Sequence, residues 1–339
     1  MPTRAVESEA ALRSLDGFAE CRLPGQASLG LETRISSDTH GGSRVRIGIN
    51  LLLWTTEVGA AHEPVLRRLK ASGYDGVEVP LDCDDLGRCG AVRRILDDCG
   101  LAATAITSMT ADTNPISSEA PVRRRAVDRL KRSIEAAHVL GSPVLGGPLH
   151  SAYKRFVGRG PTTDEKRWCA EVLSEAVIFA QAAGVTLALE QINRFESYFL
   201  NTADQTREIL SLVGHPHCAM HYDTHHAHIE EDDPGAAIRS SADVIAHVHV
   251  SENHRGAPGS GQVDWRGTFE ALRDIGYDAW VVIEAFSTSV PDFAASINVW
   301  RNPSTEQAIV EEGLAFIRAL VQQYSPRRQS AIPGCEDAT

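Results

Sequence analysis

The stretches VTLALE (185–190), CAMHYD (218–223), VIAHVH (244–249) and WVVIE (280–284) decide how this chain is read. Each is an apolar run of strand length. Each ends in a side chain able to hold a divalent metal: Glu190, Asp223, His249 and Glu284. The intervals between the runs suit strand–helix–strand units. If the four strands are neighbours in a closed parallel barrel, their ends converge at one mouth, where barrels of this kind place their chemistry. Three carboxylates and one imidazole make an oxygen-rich site suited to Mn²⁺ or Mg²⁺, and less so to a closed structural zinc.

The alternation extends outward from these runs. Strand-like segments are read at 45–53, 76–80, 102–107, 142–147, 185–190, 218–223, 244–250 and 280–284. Amphipathic stretches lie between most of them, at 63–72, 90–99, 120–140, 163–184, 203–213 and 266–275, and a last helix fits 305–324. Glycines 73, 100, 141, 184 and 276 stand at the helix exits. Eight strands alternating with helices predict an α/β fold, a (β/α)8 barrel over residues 45–324. An open doubly wound sheet would place a glycine-rich phosphate loop after the first strand, and LLLWTTEVGA (51–60) holds none. Residues 1–44 and 325–339 are polar, lack a sustained period and read as disordered extensions.

The net charge of −12 opposes phosphate backbones and anionic lipid, so neither nucleic acid nor a membrane is expected as a partner. No run approaches a membrane span, and the N-terminus lacks a secretory pattern. Seven cysteines, an odd number with no CxxC pair, point away from disulfides and zinc ribbons and toward a cytoplasmic protein.

Each candidate ligand has a plainer reading. Glu190, Asp223 or Glu284 alone could be an exposed residue just past a strand, and a lone histidine is often a satisfied core group. Joint occurrence at four consecutive strand ends favours the metal. His247 and His249 share one strand face, so parity cannot choose between them; His249, nearer the mouth, is preferred. Nine of the thirteen histidines fall between 215 and 254. His225, His226 and His228 crowd the loop after strand six, and one of them is expected to face the site. Arg194, Glu196, Glu252 and Arg255 follow strands five and seven, with surface salt bridges as the plain alternative for the two arginines. Trp54 and Tyr153, just past strands one and four, could stack on a sugar or simply cap the barrel. Glu78, read as the end of strand two, could reach the same mouth.

A metal with open positions can bind the carbonyl and adjacent hydroxyl of a ketose and acidify the C–H between them. A 3-epimerase must remove a proton from one face and return one to the other, which requires two bases. Glu190 and Glu284, from strands five and eight, could flank a substrate in that way.

LALEQINRFES (187–197), DTHHAHIEE (223–231), HVHVSENHRGAPGSG (247–261), VVIEAF (281–286) and FSTSVPDFAASINVWRNP (286–303) resemble the D-tagatose/D-allulose/L-ribulose 3-epimerase family of xylose-isomerase-like barrels. The resemblance runs from about Arg46 to Tyr324. It implies an isomerase that interconverts free ketoses at C3 through an enediolate. It implies Mn²⁺, with Mg²⁺ or Co²⁺ possible, on Glu190, Asp223, His249 and Glu284, and proton transfer by Glu190 and Glu284. It implies substrate binding by Glu196, His226 and Arg255, a pocket formed in part by the loop after strand four, where Gly147 stands, and a homodimer or homotetramer; Trp54 and Glu78 are expected in the same pocket from their places near the ends of strands one and two. The chain departs from the family's pattern at His225, in place of an aromatic residue, at Ala227–His228 in place of Met-Asn, and at Gln191. These departures leave the ligands intact and bear on substrate preference. The nearest rival is a related barrel sugar isomerase or inosose dehydratase. More distant are a DNA-repair endonuclease, which the charge opposes, and a catalytically dead sugar-binding protein.

Overall fold

The structure, a computed structural model, describes residues 45–81 and 85–324. The expectations for 1–44 and 325–339 lie outside the described residues. Eight parallel strands close into one barrel in sequence order: β1 (Arg46–Asn50), β2 (Gly76–Pro80), β3 (Ala102–Ile106), β4 (Val144–Gly147), β5 (Thr186–Glu190), β6 (Cys218–Asp223), β7 (Ile245–Val250) and β8 (Trp280–Ile283). β8 pairs back onto β1, with Arg46 opposite Trp280. The expected closed barrel is present.

The helices are α1 (Glu63–Ser72), α2 (Leu86–Cys99), α3 (Ala120–Leu140), α4 (Thr163–Ala183), α5 (Ala203–Val213), α6 (Thr224–Glu230), α7 (Pro234–Ser240), α8 (Trp265–Asp274), α9 (Pro291–Ser296) and α10 (Gly313–Tyr324). Local chemistry sets their ends. Thr162 caps α4 by accepting from the Glu165 N–H at 3.2 Å, while the Glu165 carboxylate accepts from the Thr162 N–H at 2.7 Å. Gly184 stops the same helix with φ 67°, a left-handed conformation that glycine adopts without strain.

Several boundaries differ from the sequence reading, each for a local reason. The first strand stops at Asn50, not at residue 53, because the Asn50 side chain accepts from the Leu52 N–H at 2.9 Å and folds Leu51–Leu53 into a 3₁₀ turn. α2 begins at Leu86, not at residue 90, because Asp85 caps it on the Arg88 N–H. The crowd of histidines after strand six is helical, α6, and a further short helix, α7, follows it.

The barrel floor is filled by Trp280, which is 2 % exposed. A Cβ on Gly76 would lie 2.5 Å from its ring, so the glycine in β2 makes room for the indole. Arg46 stacks on the same ring at 4.6 Å. The described cysteines, Cys89, Cys99, Cys169 and Cys218, are all buried. Among the described residues no helix is long and apolar enough to cross a membrane.

Candidate active site

Register delivers the ligands. β6 and β7 pair with Asp223 opposite His249, and His221 opposite His247. The upper pair meets Glu190 at the end of β5 and Glu284 just past β8. Glu190, Asp223, His249 and Glu284 each offer one ligand atom, all within 4.8 Å of one another, and all four are buried. His249 Nδ1 lies 3.4 Å from Glu284 Oε1, 3.5 Å from Asp223 Oδ2 and 3.7 Å from Glu190 Oε1. It has no hydrogen-bond partner. Its other nitrogen, Nε2, is 2.5 Å from Glu78 Oε2. A proton held there by Glu78 leaves the Nδ1 lone pair facing three carboxylate oxygens. That arrangement is repulsive unless a cation stands at the centre, so the donor set fits a divalent ion.

The electrostatics agree. Burial pushes the Glu190 carboxyl well above the ordinary carboxylate range, helped by Glu284 and Asp223 against the pull of His249. Burial acts the same way on Asp223, but Arg255 and His226 outweigh it and hold that carboxyl low. Burial opposes charge on His249, yet Glu78 and Glu284 raise its pKa well above that of a free imidazole. The site asks for positive charge where an ion would sit.

Asp223 has a second task. Its Oδ1 accepts from the N–H groups of His225 at 2.6 Å and His226 at 3.0 Å, so it is the N-cap of α6. The metal-facing oxygen and the helix-capping oxygen belong to one carboxylate. α6 in turn places His226, whose Nδ1 accepts from the Asn193 N–H at 3.1 Å. His226 Nε2 lies 3.2 Å from Arg255 and 3.8 Å from Glu190.

Arg255 donates to Glu284 Oε2 and, at 2.8 Å, to Ser251 Oγ. Its backbone is left-handed, φ 61°, and Phe286 packs against its guanidinium at 5.0 Å. A non-glycine residue held there is strained by the order of 1 kcal/mol, a cost tolerated where geometry serves a site. The quartet opens on a cavity of about 460 Å³. Glu190 and Glu284 line it together with Glu196, His226, Arg255 and Tyr153, while Asp223 and His249 stand behind. The opposite wall carries Leu52, Leu81 and Ile106.

Three expected pocket residues are placed elsewhere. Glu78 is not at the mouth: it is the third of the five residues of β2, whose bounds are those read from the sequence, and it lies fully buried beneath His249. There it also meets His247 Nε2 at 2.8 Å, Asn50 Nδ2 at 2.9 Å and Thr104 Oγ1 at 3.2 Å. Trp54 packs against the core while Leu52 and Thr56 face the cavity, because the 3₁₀ turn rotates the chain after β1. Gly147, φ 116°, is a close crossing of backbones: a Cβ there would stand 2.1 Å from the Thr107 carbonyl oxygen. Its neighbour Pro148 lines the cavity instead. Arg194 forms a two-pronged ion pair with Glu230 at the surface, at 2.8 Å, as its plain reading held. Glu252 accepts from the backbone of Asn253, Gly259, Gln262 and Val263 and from Trp265 Nε1, and so ties up its own loop.

Sequence reasoning passed over Asn50, His150 and Asn193. Asn50 bridges Glu78 and, at 3.3 Å, Glu284. His150 Nε2 lies 3.0 Å from the Glu190 carbonyl oxygen, and burial lowers the pKa of this imidazole to about 4. Asn193 donates to Glu196 at 3.2 Å while holding His226. The signal for Asn50 was present: a polar side chain closing the apolar run RIGIN.

Residues 66–320 match the family model described as xylose isomerase-like TIM barrel. The L-ribulose 3-epimerase of Mesorhizobium japonicum is 33 % identical over 277 residues, spanning 80 % of this chain and 93 % of that protein. The chain belongs to the ketose 3-epimerase family of xylose isomerase-like TIM barrels. It is thereby an isomerase of the carbohydrate epimerase kind. The ketose 3-epimerase of Arthrobacter globiformis is likewise 33 % identical, over 81 % of this chain and 96 % of its own length. A solved L-ribulose 3-epimerase superposes with a TM-score of 0.77 at 32 % identity, covering 84 % of this chain and 99 % of that one. A solved D-psicose 3-epimerase with D-tagatose, from Clostridium cellulolyticum, gives 0.75 at 27 % identity, over 82 % and 99 %.

Proposed function

We propose that this protein is a divalent-metal-dependent epimerase that inverts C3 of free ketoses, among them the pairs D-fructose/D-allulose, D-tagatose/D-sorbose and L-ribulose/L-xylulose. The observation that carries the reading is the division within the quartet. Two carboxylates, Glu190 and Glu284, face the cavity, and the other two ligands are closed off behind them. Glu190, Asp223, His249 and Glu284 would hold the ion, Mn²⁺ by preference. A bound ion supplies Lewis-acid polarisation of the ketose carbonyl and so makes the neighbouring C–H acidic.

The remaining work falls to side chains. One of Glu190 and Glu284 takes the C3 proton, and the other returns a proton to the opposite face. Glu190 and Glu284 both line the cavity, which puts each carboxylate within reach of a bound ketose. Arg255, His226 and Glu196 offer a cation, an imidazole and an acceptor at one end of the cavity for the oxygens around C1 to C3. Leu52, Leu81 and Ile106 present apolar side chains to the distal carbons. By analogy with the family, a homodimer or homotetramer in the cytoplasm is the expected working form.

The test is a panel of D-fructose, D-allulose, D-tagatose and L-ribulose incubated in D₂O with fixed Mn²⁺, before and after exhaustive chelation. The reading expects C3 epimers carrying one solvent deuteron at C3, and no product after chelation. Aldose products, or undiminished turnover after chelation, would overturn it.

A further inference from the structure

Directly below the reaction site lies a second group of imidazoles that the proposed chemistry does not use. His221 and His247 are the residues two positions before Asp223 and His249 on β6 and β7, so they repeat the upper row one layer deeper. Both are fully buried. The His221 ring stands 4.0 Å from the His249 ring and 4.7 Å from that of His247, edge to face in each case. His221, His247 and His249 each offer a nitrogen within 4.8 Å of the others.

The layer is unsatisfied as it stands. Both nitrogens of His221 and Nδ1 of His247 have no hydrogen-bond partner. Buried polar nitrogens are almost always paired, and each orphan costs on the order of 1–3 kcal/mol. The fold has nevertheless made room for this imidazole. A Cβ at Gly146 would lie 2.9 Å from His221 Nδ1, so β4 is reduced to glycine where the ring passes. An apolar residue at 221 would have filled the space without the penalty.

We infer that His221, His247 and the lower nitrogen of His249, with Glu78 as the fourth donor, form a second metal site inside the barrel, suited to a borderline-soft divalent ion such as Zn²⁺. The donor set is the reverse of the one above. Three nitrogens and one oxygen select for zinc or cobalt, whereas three carboxylates and one imidazole select for manganese or magnesium. The spacing supports it. His247 Nε2 is 2.8 Å and His249 Nε2 is 2.5 Å from the Glu78 oxygens. A tetrahedral ion with bonds of about 2.0 Å separates its donors by about 3.3 Å. The two Glu78 contacts need therefore open by less than an ångström, while the His221 nitrogen, which lies within 4.8 Å of those of His247 and His249, has to close on them. On binding, the Nε2 proton of His247 would pass to its Nδ1, leaving a neutral imidazole with its Nε2 lone pair free, and His249 would release its Nε2 proton to solvent. As an imidazolate, His249 would then offer Nδ1 to the upper site and Nε2 to the lower one. The site is enclosed, so the ion enters as the chain folds. This inference stands apart from the substrate reading above.

The full chain, expressed in zinc-supplemented medium and freed of loose ions by gel filtration, is analysed by elemental mass spectrometry beside His221→Leu. Two ions per wild-type chain and one per variant chain are expected. One ion or none in the wild type would overturn the inference, as would two in both proteins. Should the variant fail to fold, cobalt-substituted wild type decides. An intense visible band of four-coordinate Co²⁺ is expected beside the weak absorption of the upper site, and its absence removes the second site.

Discussion

Strands β5 to β8 and strands β1 to β4 build the same barrel and finish differently. The later four carry Glu190 and Asp223 as their last residues, His249 one before the end of β7, and Glu284 one residue past β8. The earlier four end in Asn50, Pro80, Ile106 and Gly147. The second half of the chain supplies the donors. The first half supplies cavity lining, apolar at Leu52, Leu81 and Ile106 and polar at Thr107, Ser108 and Arg129, and the buried props Asn50 and Glu78. Reacting groups and supporting groups thus come from opposite sides of one closed sheet. Loss of a residue from one side should stop the chemistry, and loss from the other should loosen it.

The sharpest break of that contrast is Glu284→Gln or Glu190→Gln. Removing a proton-transfer group is expected to reduce turnover at least ~10²–10⁴-fold, measured as kcat on the best ketose of the panel. A rate within tenfold of the wild type would exclude that residue as a base. Glu78→Gln, on the supporting side, should act through His249. Loss of a carboxylate that orients a ligating imidazole weakens metal binding about 10–100-fold. Metal titration followed by activity and by calorimetry reads this directly, and unchanged affinity would show that His249 is oriented without it.

The smallest effect belongs to a charge outside both groups. Glu165 receives Arg159 at 2.8 and 2.9 Å, the Thr162 N–H at 2.7 Å and the Tyr198 hydroxyl at 2.8 Å. Burial works against its charge, but Arg159, Thr162 and Tyr198 prevail and lower its pKa from 4.5 to about 2. A depressed carboxyl stabilises the fold above its unfolded value and loses that contribution as pH falls through its folded value. The melting temperature should therefore decline between about pH 4.5 and pH 2 more steeply in the wild type than in Glu165→Gln. Parallel curves would refute the assignment.

The ends of β5 to β8 were legible because an ionisable group closing an apolar run has few inexpensive explanations, and four in sequence have fewer. The barrel followed from the alternation itself. Height along the axis was not legible. In a sheared barrel, strands of equal length end at different levels, so the bounds of β2, read correctly at 76–80, did not tell that Glu78 lies beneath His249 and not at the rim. Parity along the strand did not separate His247 from His249; His249 was preferred as the one nearer the mouth, and the pairing of β7 with β6 sets it opposite Asp223. α6 was invisible for another reason. A seven-residue helix has too little periodicity to detect, and this one depends on a cap from Asp223, a residue whose more obvious task lay elsewhere. The turn after β1, which directs Leu52 to the cavity in place of Trp54, rests on a single side-chain hydrogen bond from Leu52 to Asn50.

The indole wedged against Gly48 and Gly76 has a kinetic corollary. It makes the lumen a blind well: nothing passes through from the far end, so reactant and product share one doorway. Each epimer formed must leave before another molecule can enter, and late in an incubation the two will compete for the same vestibule. A progress curve run toward equilibrium should therefore bend earlier than substrate depletion alone requires.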